Sequence, residues 1–165
     1  DIASSFNNLY GETFVLPEAR IAEEVMTIPG TDGQKMSKSY GNIIDIFLPD
    51  KELRKQIMSI LTDSTPIEAP KNPDQDNVFA LYKVVAMAEQ TEALRQKYLA
   101  GNFGYGNAKQ ELYELIIQKY AKERALFNHY MNNLADLEKQ LERSEEKARV
   151  IARTLLQKVR NKLGF

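Results

Sequence analysis

Cysteine is absent from the 165 residues, and His129 is the only histidine. The first absence excludes disulfides and thiolate metal sites. The second leaves a histidine-based triad or a multi-histidine zinc site without the partners it needs. The start, Asp1-Ile2-Ala3-Ser4, has no initiator Met, no basic region and no apolar region, so it does not read as a signal peptide. No apolar run approaches the ~20 residues of a membrane span. An excess of one charge is also missing, because 22 Lys and Arg face 23 Asp and Glu for a net charge of −1. These absences favour a soluble cytoplasmic protein with no membrane partner.

What is present is ordinary for a globular chain, with 43% hydrophobic and 27% charged residues. The length suits one domain, or one domain with a piece of another. The neutral total conceals a gradient. Residues 1–50 carry eight acidic and three basic side chains, and residues 106–165 carry twelve basic and eight acidic. Such an imbalance is too mild to identify a polyanion-binding surface by itself.

Helical periodicity dominates the chain. Residues 1–10 read as a helix end, with Ile2, Phe6 and Leu9 on one face and Gly11 as the stop, which suggests a cut from something longer. Thr13 to Leu16 is β-prone and closed by Pro17. Ile43 to Leu48 suits a strand or a buried turn. Asp50 can cap a helix over 51–61 that buries Leu53, Ile57, Ile60 and Leu61. A Pro-rich connector follows, and Asn72 with Pro73 then opens a helix to about residue 86. Another helix spans about 89–100 and stops at Gly101. Asn107 can cap a long helix to about Asn132, followed by helices over 134–142 and 144–163. Leu112, Leu115, Ile116, Tyr120, Leu126, Phe127 and Tyr130 read as core, with His129 structural among them. The alternating charges from Glu138 to Lys147 read as a solvated face.

Residues 28–42 differ in kind. Pro29, Gly30, Gly33 and Gly41 frame a polar stretch without periodicity, as expected of a long mobile loop with a function. Within it Lys35 and Lys38 bracket Met36 and Ser37, with Ser39 beyond. Two ammonium groups three residues apart, with nearby hydroxyls and loop amides, suit a short and highly charged anion. A lone pair of lysines in a loop is more often a solvated surface feature. The segment is not a phosphate-binding Walker loop either: its glycines lack the four-residue spacer, and Met36 stands where Ser or Thr would hold magnesium.

The string Lys35-Met36-Ser37-Lys38-Ser39 resembles, whole, the KMSKS signature of class I aminoacyl-tRNA synthetases. Its surroundings resemble the tryptophanyl-tRNA synthetases in particular. The similar stretches are Asp1-Ile2-Ala3 through Phe6-Asn7 to Phe14-Val15-Leu16-Pro17-Glu18, then Gly104-Tyr105-Gly106 with Ala108-Lys109. The last runs from Glu146-Lys147-Ala148-Arg149 to Val159-Arg160 with Lys162-Leu163-Gly164. Asn42 matches a common position just after the loop, while Tyr40 and Gly41 replace an Asp-Pro pair of some members.

The resemblance implies a mainly α fold: a helical bundle plus a short remnant of the class I nucleotide-binding domain. It implies a catalytic-domain edge with the lysine loop over 1–47, a helical anticodon-binding domain over 48–143, and a C-terminal helix over 144–165 that folds back on the catalytic domain. The implied activity is activation of tryptophan by ATP and its transfer to tRNA, in a homodimeric parent using ATP with Mg2+. Lys35, Met36, Ser37, Lys38 and Ser39 would contact ATP, with Lys38 as the catalytic group easing pyrophosphate departure. Lys109, Lys119, Lys122 and Arg124 are candidates for tRNA phosphate contacts. No residue is assigned to a metal. The remaining ATP and tryptophan residues would lie before Asp1, so the chain alone is expected to be inactive. Val150, Ile151, Leu155, Leu156, Val159 and Leu163 would then expose an apolar patch, or be covered by a dimer or a swapped helix. The competing readings are a helical RNA-binding module without catalysis and a helical scaffold with an incidental lysine loop.

Overall fold

The computed structural model describes residues 1–21 and 27–165, and its regular structure is helical. The helices are α1 (Ile2–Tyr10), α2 (Asp50–Met58), α3 (Asn77–Val85), α4 (Ala88–Ala100), α5 (Tyr105–Lys119), α6 (Ala121–Asn132) and α7 (Leu134–Leu163). Single 3-10 turns cover Lys38–Tyr40 and Pro73–Gln75. The chain divides into two compact units, one of residues 21–127 and one of residues 1–20 with 128–165.

The larger unit contains the core. Leu53 and Ile57 of α2, Val78, Phe79, Leu81 and Tyr82 of α3, Leu94 and Tyr98 of α4, and Ala108, Leu112, Leu115 and Ile116 of α5 bury together. Packing runs from α2 to α5, from α5 to α3 and from α3 to α4, so α5 and α3 are the inner members. Each fully buried Leu or Ile contributes about 1.5–3 kcal/mol by leaving water. Ile28, Met36, Ile44, Ile46 and Leu48 lie half-buried against this core, which seats the lysine loop on it.

Helix boundaries depart from the periodicity where a local hydrogen bond wins. α2 ends at Met58 rather than 61, because the Leu61 amide turns away to donate to the Thr31 carbonyl at 2.7 Å, leaving the Leu61 side chain 60% exposed. Asn72 caps only the 3-10 turn, accepting from the Asp74 amide at 3.0 Å. α3 starts at Asn77 beneath its own cap, Asp76, whose Oδ1 accepts from the Phe79 amide at 2.8 Å. α5 begins at Tyr105, two residues before the expected Asn107 cap, and breaks at Tyr120 (φ −102°, ψ 19°). Leu126 and Phe127 of the following helix are exposed rather than core, although Phe127 stacks on Phe47 at 4.7 Å. Residues 43–48 form an irregular turn before α2.

In the smaller unit no strand forms at residues 13–16. The Asn7 side chain satisfies that backbone instead. It accepts from the Thr13 and Phe14 amides at 3.1 and 2.9 Å and donates to the Phe14 carbonyl at 2.8 Å. The two expected C-terminal helices are one, α7, because no Gly or Pro interrupts residues 134–163 and Arg149 pairs back to Glu145 and Glu146 along it. His129 is half exposed, with Nε2 3.6 Å from Asp136 and its ring 5.4 Å from that of Tyr130. Residues 138–147 are exposed throughout.

Candidate functional site

The lysine loop is built by short-range hydrogen bonds rather than by a sheet. Among the described residues the one β pairing is an isolated antiparallel bridge between Pro29 and Lys35. The Met36 amide donates to the Ile28 carbonyl at 2.8 Å, and the Gly30 amide donates to the Gln34 carbonyl at 2.6 Å. Asp32 completes the turn by accepting from the Gln34 amide at 3.0 Å, the local side-chain closure that Asp favours. Of the residues expected to frame the loop, Pro29 and Gly30 take part in this bonding directly.

Asn42 closes the loop from its far end. Its Nδ2 donates to Asp32 Oδ1 at 2.8 Å and to the Lys35 carbonyl at 3.2 Å, while its Oδ1 accepts from the Ser37 amide at 2.8 Å. Its own carbonyl accepts from the Thr31 amide at 2.9 Å. The side chain is only 3% exposed. The Asn42 amide, with that of Gln34, holds the Asp32 carboxyl below the usual carboxylate range. In the sequence, the one signal of this bonding is an Asx residue following a Gly-rich loop.

The result is a directional display. Met36 turns inward against the core, whereas Lys35, Lys38 and Ser39 are exposed and Ser37 is half-buried. Ser37 Oγ and Ser39 Oγ lie 2.8 Å apart. Residues 38–40 wind into a 3-10 turn that Gly41 ends in the left-handed region, at φ 66°. Among the described residues, the ion pairs formed do not include Lys35 or Lys38. Two exposed ammonium groups and two hydroxyls therefore fall within the five residues 35–39, while the Ser37 amide is committed to Asn42. Such a set can meet a polyphosphate by charge and by hydroxyl donation.

Clusters of three or more Asp, Glu, His or Cys able to hold a metal do not occur among the described residues. The carboxylate within the loop, Asp32, is engaged by Asn42 and Gln34.

The four cations proposed for tRNA lie on two helices, not one. Lys109 and Lys119 belong to α5, Lys122 and Arg124 to α6. Lys109 Nζ donates to the Met58 carbonyl at 3.1 Å, and its burial lowers its pKa. Lys119 donates to the Val85 carbonyl. Arg124 donates to the Ile46 carbonyl and pairs with Asp50 at 2.6 Å. These three close helix and turn ends of the same unit; Lys122 is exposed.

Comparison with known proteins places these features in context. A family model described as class I tRNA synthetases (W and Y) matches residues 1–121. A tryptophan–tRNA ligase of Fusobacterium nucleatum is 44% identical over the whole chain, which spans 51% of that relative. One from Rhodopirellula baltica is 41% identical over the whole chain and is spanned to 52%. A crystal structure of tryptophanyl-tRNA synthetase from Campylobacter jejuni, complexed with ADP and tryptophan, superposes with a TM-score of 0.83 at 43% identity. It covers 99% of this chain, which in turn covers 51% of that one. The chain spans about half the length of the relatives it matches. Among the described residues no helix is long and apolar enough to cross a membrane.

Proposed function

Because the chain belongs to the class I tRNA synthetases of the tryptophan and tyrosine family, we propose that it is the C-terminal half of a tryptophan–tRNA ligase. It contributes the loop that handles ATP and the helices that receive tRNA. The observation that carries this reading is the exposed pair Lys35 and Lys38, held on an Asn42-braced turn within the intact signature string. The bound ADP and tryptophan of the Campylobacter jejuni relative support the substrate class.

In the reaction, a carboxylate oxygen of tryptophan attacks the α-phosphorus of ATP, and the bond to the β,γ-pyrophosphate breaks. Negative charge grows on the departing oxygens. A lysine that meets this charge mainly in the transition state raises kcat, whereas one that holds ATP equally throughout lowers only KM. Lys38, at the start of the 3-10 turn, is assigned the first role. Lys35, Met36, Ser37 and Ser39 complete the ATP contact. Magnesium enters with the nucleotide as part of the substrate, since no residue of this chain is assigned to it.

The division into a catalytic edge (1–47), an anticodon-binding bundle (48–143) and a helix returning to the catalytic half (144–165) belongs to the same proposal. So do a homodimeric, cytoplasmic parent and a tRNA surface that includes Lys109, Lys119, Lys122 and Arg124. Lys122 is its most available cation, because the other three donate to the Met58, Val85 and Ile46 carbonyls. Alone, the chain lacks the orientation that the other half supplies, and orientation provides much of an adenylation rate.

The test joins this chain to the preceding half of the Campylobacter jejuni relative and measures tryptophan-dependent pyrophosphate exchange. Lys38→Ala is expected to lower kcat by about 10²–10³, with a smaller change in the KM for ATP. An unchanged kcat would remove Lys38 from its assigned role.

A further inference from the structure

Asn42 uses its whole amide in a way that no other residue of the loop does. An asparagine side chain offers two N–H donors and one carbonyl acceptor. Here both donors and the acceptor are engaged, by Asp32 Oδ1, the Lys35 carbonyl and the Ser37 amide. The assignment is not reversible. A flipped amide would set oxygen against the Asp32 carboxylate and the Lys35 carbonyl, and an NH2 group against the Ser37 N–H. Asn42 itself is 3% exposed and its three bonds are part-buried, so a lost partner leaves a polar group of the amide without ready access to water.

Space for this side chain is made by its neighbour across the turn. A Cβ on Gly30 would stand 2.4 Å from Asn42 Cγ and 2.6 Å from its carbonyl oxygen. The loop therefore has a glycine where the asparagine must approach. The asparagine in turn holds the main chain on both sides of Met36, at the Lys35 carbonyl and at the Ser37 amide. Met36 is anchored inward on the core, and its amide on Ile28. With these points fixed, the directions in which Lys35 and Lys38 leave the backbone are also fixed.

We infer that Asn42, paired with Asp32, is the positioning residue of the lysine loop, setting Lys35 and Lys38 to act together on one polyphosphate. The inference rests on the ATP reading above. It does not make Asn42 a catalytic residue, since its amide is fully engaged within the loop and has no donor left for a ligand. Asp32 acts one step further back, by orienting the amide that orients the loop.

The Asp32 member gives the inference a test in which charge and positioning predict opposite signs. Inorganic pyrophosphate is titrated into the 15N-labelled 165-residue chain, following the backbone amides of residues 35–41 by NMR. Unfolding of the helices is monitored in parallel by circular dichroism. Removing a carboxylate beside an anion site should tighten anion binding if charge alone matters. Positioning predicts the reverse for Asp32→Ala, weakening by about threefold, and about tenfold for Asn42→Ala, with the helical unfolding transition kept. Asp32→Asn, which retains an oxygen acceptor and loses the charge, should bind more tightly than the wild type. Because Asp32 lies at the partly exposed turn, its variants decide the matter even where Asn42→Ala unfolds. Equal or tighter binding by Asp32→Ala would overturn the pairing and leave the ATP reading standing. Failure of the wild-type chain to bind pyrophosphate at its lysine loop would overturn both.

Discussion

Lys71 and Asp76 are buried polar residues in a chain whose other buried side chains are mostly apolar, and each closes a backbone end. Lys71 is 3% exposed, and its Nζ donates to the carbonyls of Pro66, Ala69 and Ile67 at 2.9, 3.2 and 3.4 Å. It thereby ties the Pro-rich connector to itself, with the Tyr105 ring 5.3 Å away. Asp76 Oδ1 accepts both the Phe79 amide and the Tyr98 hydroxyl at 2.8 Å, so it caps α3 and satisfies a fully buried phenol at once. Asp76→Ala removes the cap and orphans Tyr98, an expected cost of about 2–4 kcal/mol read from the urea midpoint at pH 7. A loss below about 0.5 kcal/mol would contradict this account. Asp76→Asn keeps an acceptor and should cost less. Burial raises the Asp76 carboxyl above its ordinary value, despite the hydrogen bonds that lower it. The folded chain therefore binds this proton more tightly than the unfolded one. The associated stability is present below the ordinary carboxylate pKa and is lost as pH rises through the raised value. Asp63 has the opposite sign: the Tyr105 hydroxyl holds it low, so its contribution is lost as pH falls below the ordinary carboxylate range.

At the scale of elements, α4 and α5 depend on the connector pressed against their junction. Gly101 ends α4 at φ 72°, and a Cβ there would stand 2.5 Å from the Glu68 carbonyl oxygen. Gly101→Ala therefore meets a left-handed backbone and a rigid neighbour together. Thermal unfolding should show a loss of about 1–3 kcal/mol; a change within 0.5 kcal/mol would mean the connector yields freely. Gly101 was legible as a helix stop from sequence, as was the buried face of α2 and α5, because 3.6-residue periodicity reports burial directly. The starts of α3 and α5 were not. Asn72 and Asp76 are both good caps within one turn of each other, and only tertiary contact with Tyr98 decides between them. The break at Tyr120 carries no Gly or Pro to announce it. The lysine string was fully legible, whereas its bracing by Asn42 was not, since a side chain closing a loop over ten residues leaves no periodic trace.

At the scale of the molecule, the apolar core lies within residues 21–127, and in the other unit neither the short α1 nor the 30-residue α7 buries a residue. Val150, Ile151, Leu155, Leu156 and Leu163 are exposed along α7, with Ile151 reaching 75%, while Val159 is half-buried. The chain spans about half the length of the relatives it matches, and its lysine loop presents Lys35 and Lys38 exposed. The central claim is that this half supplies the ATP loop and depends on the other half for catalysis. It is tested most directly by tryptophan-dependent pyrophosphate exchange, measured first on the 165-residue chain alone and then on the chain joined to the preceding half of a relative. The account predicts no exchange above background from the chain alone and sustained exchange after joining. Exchange by the chain alone at the joined rate would contradict it.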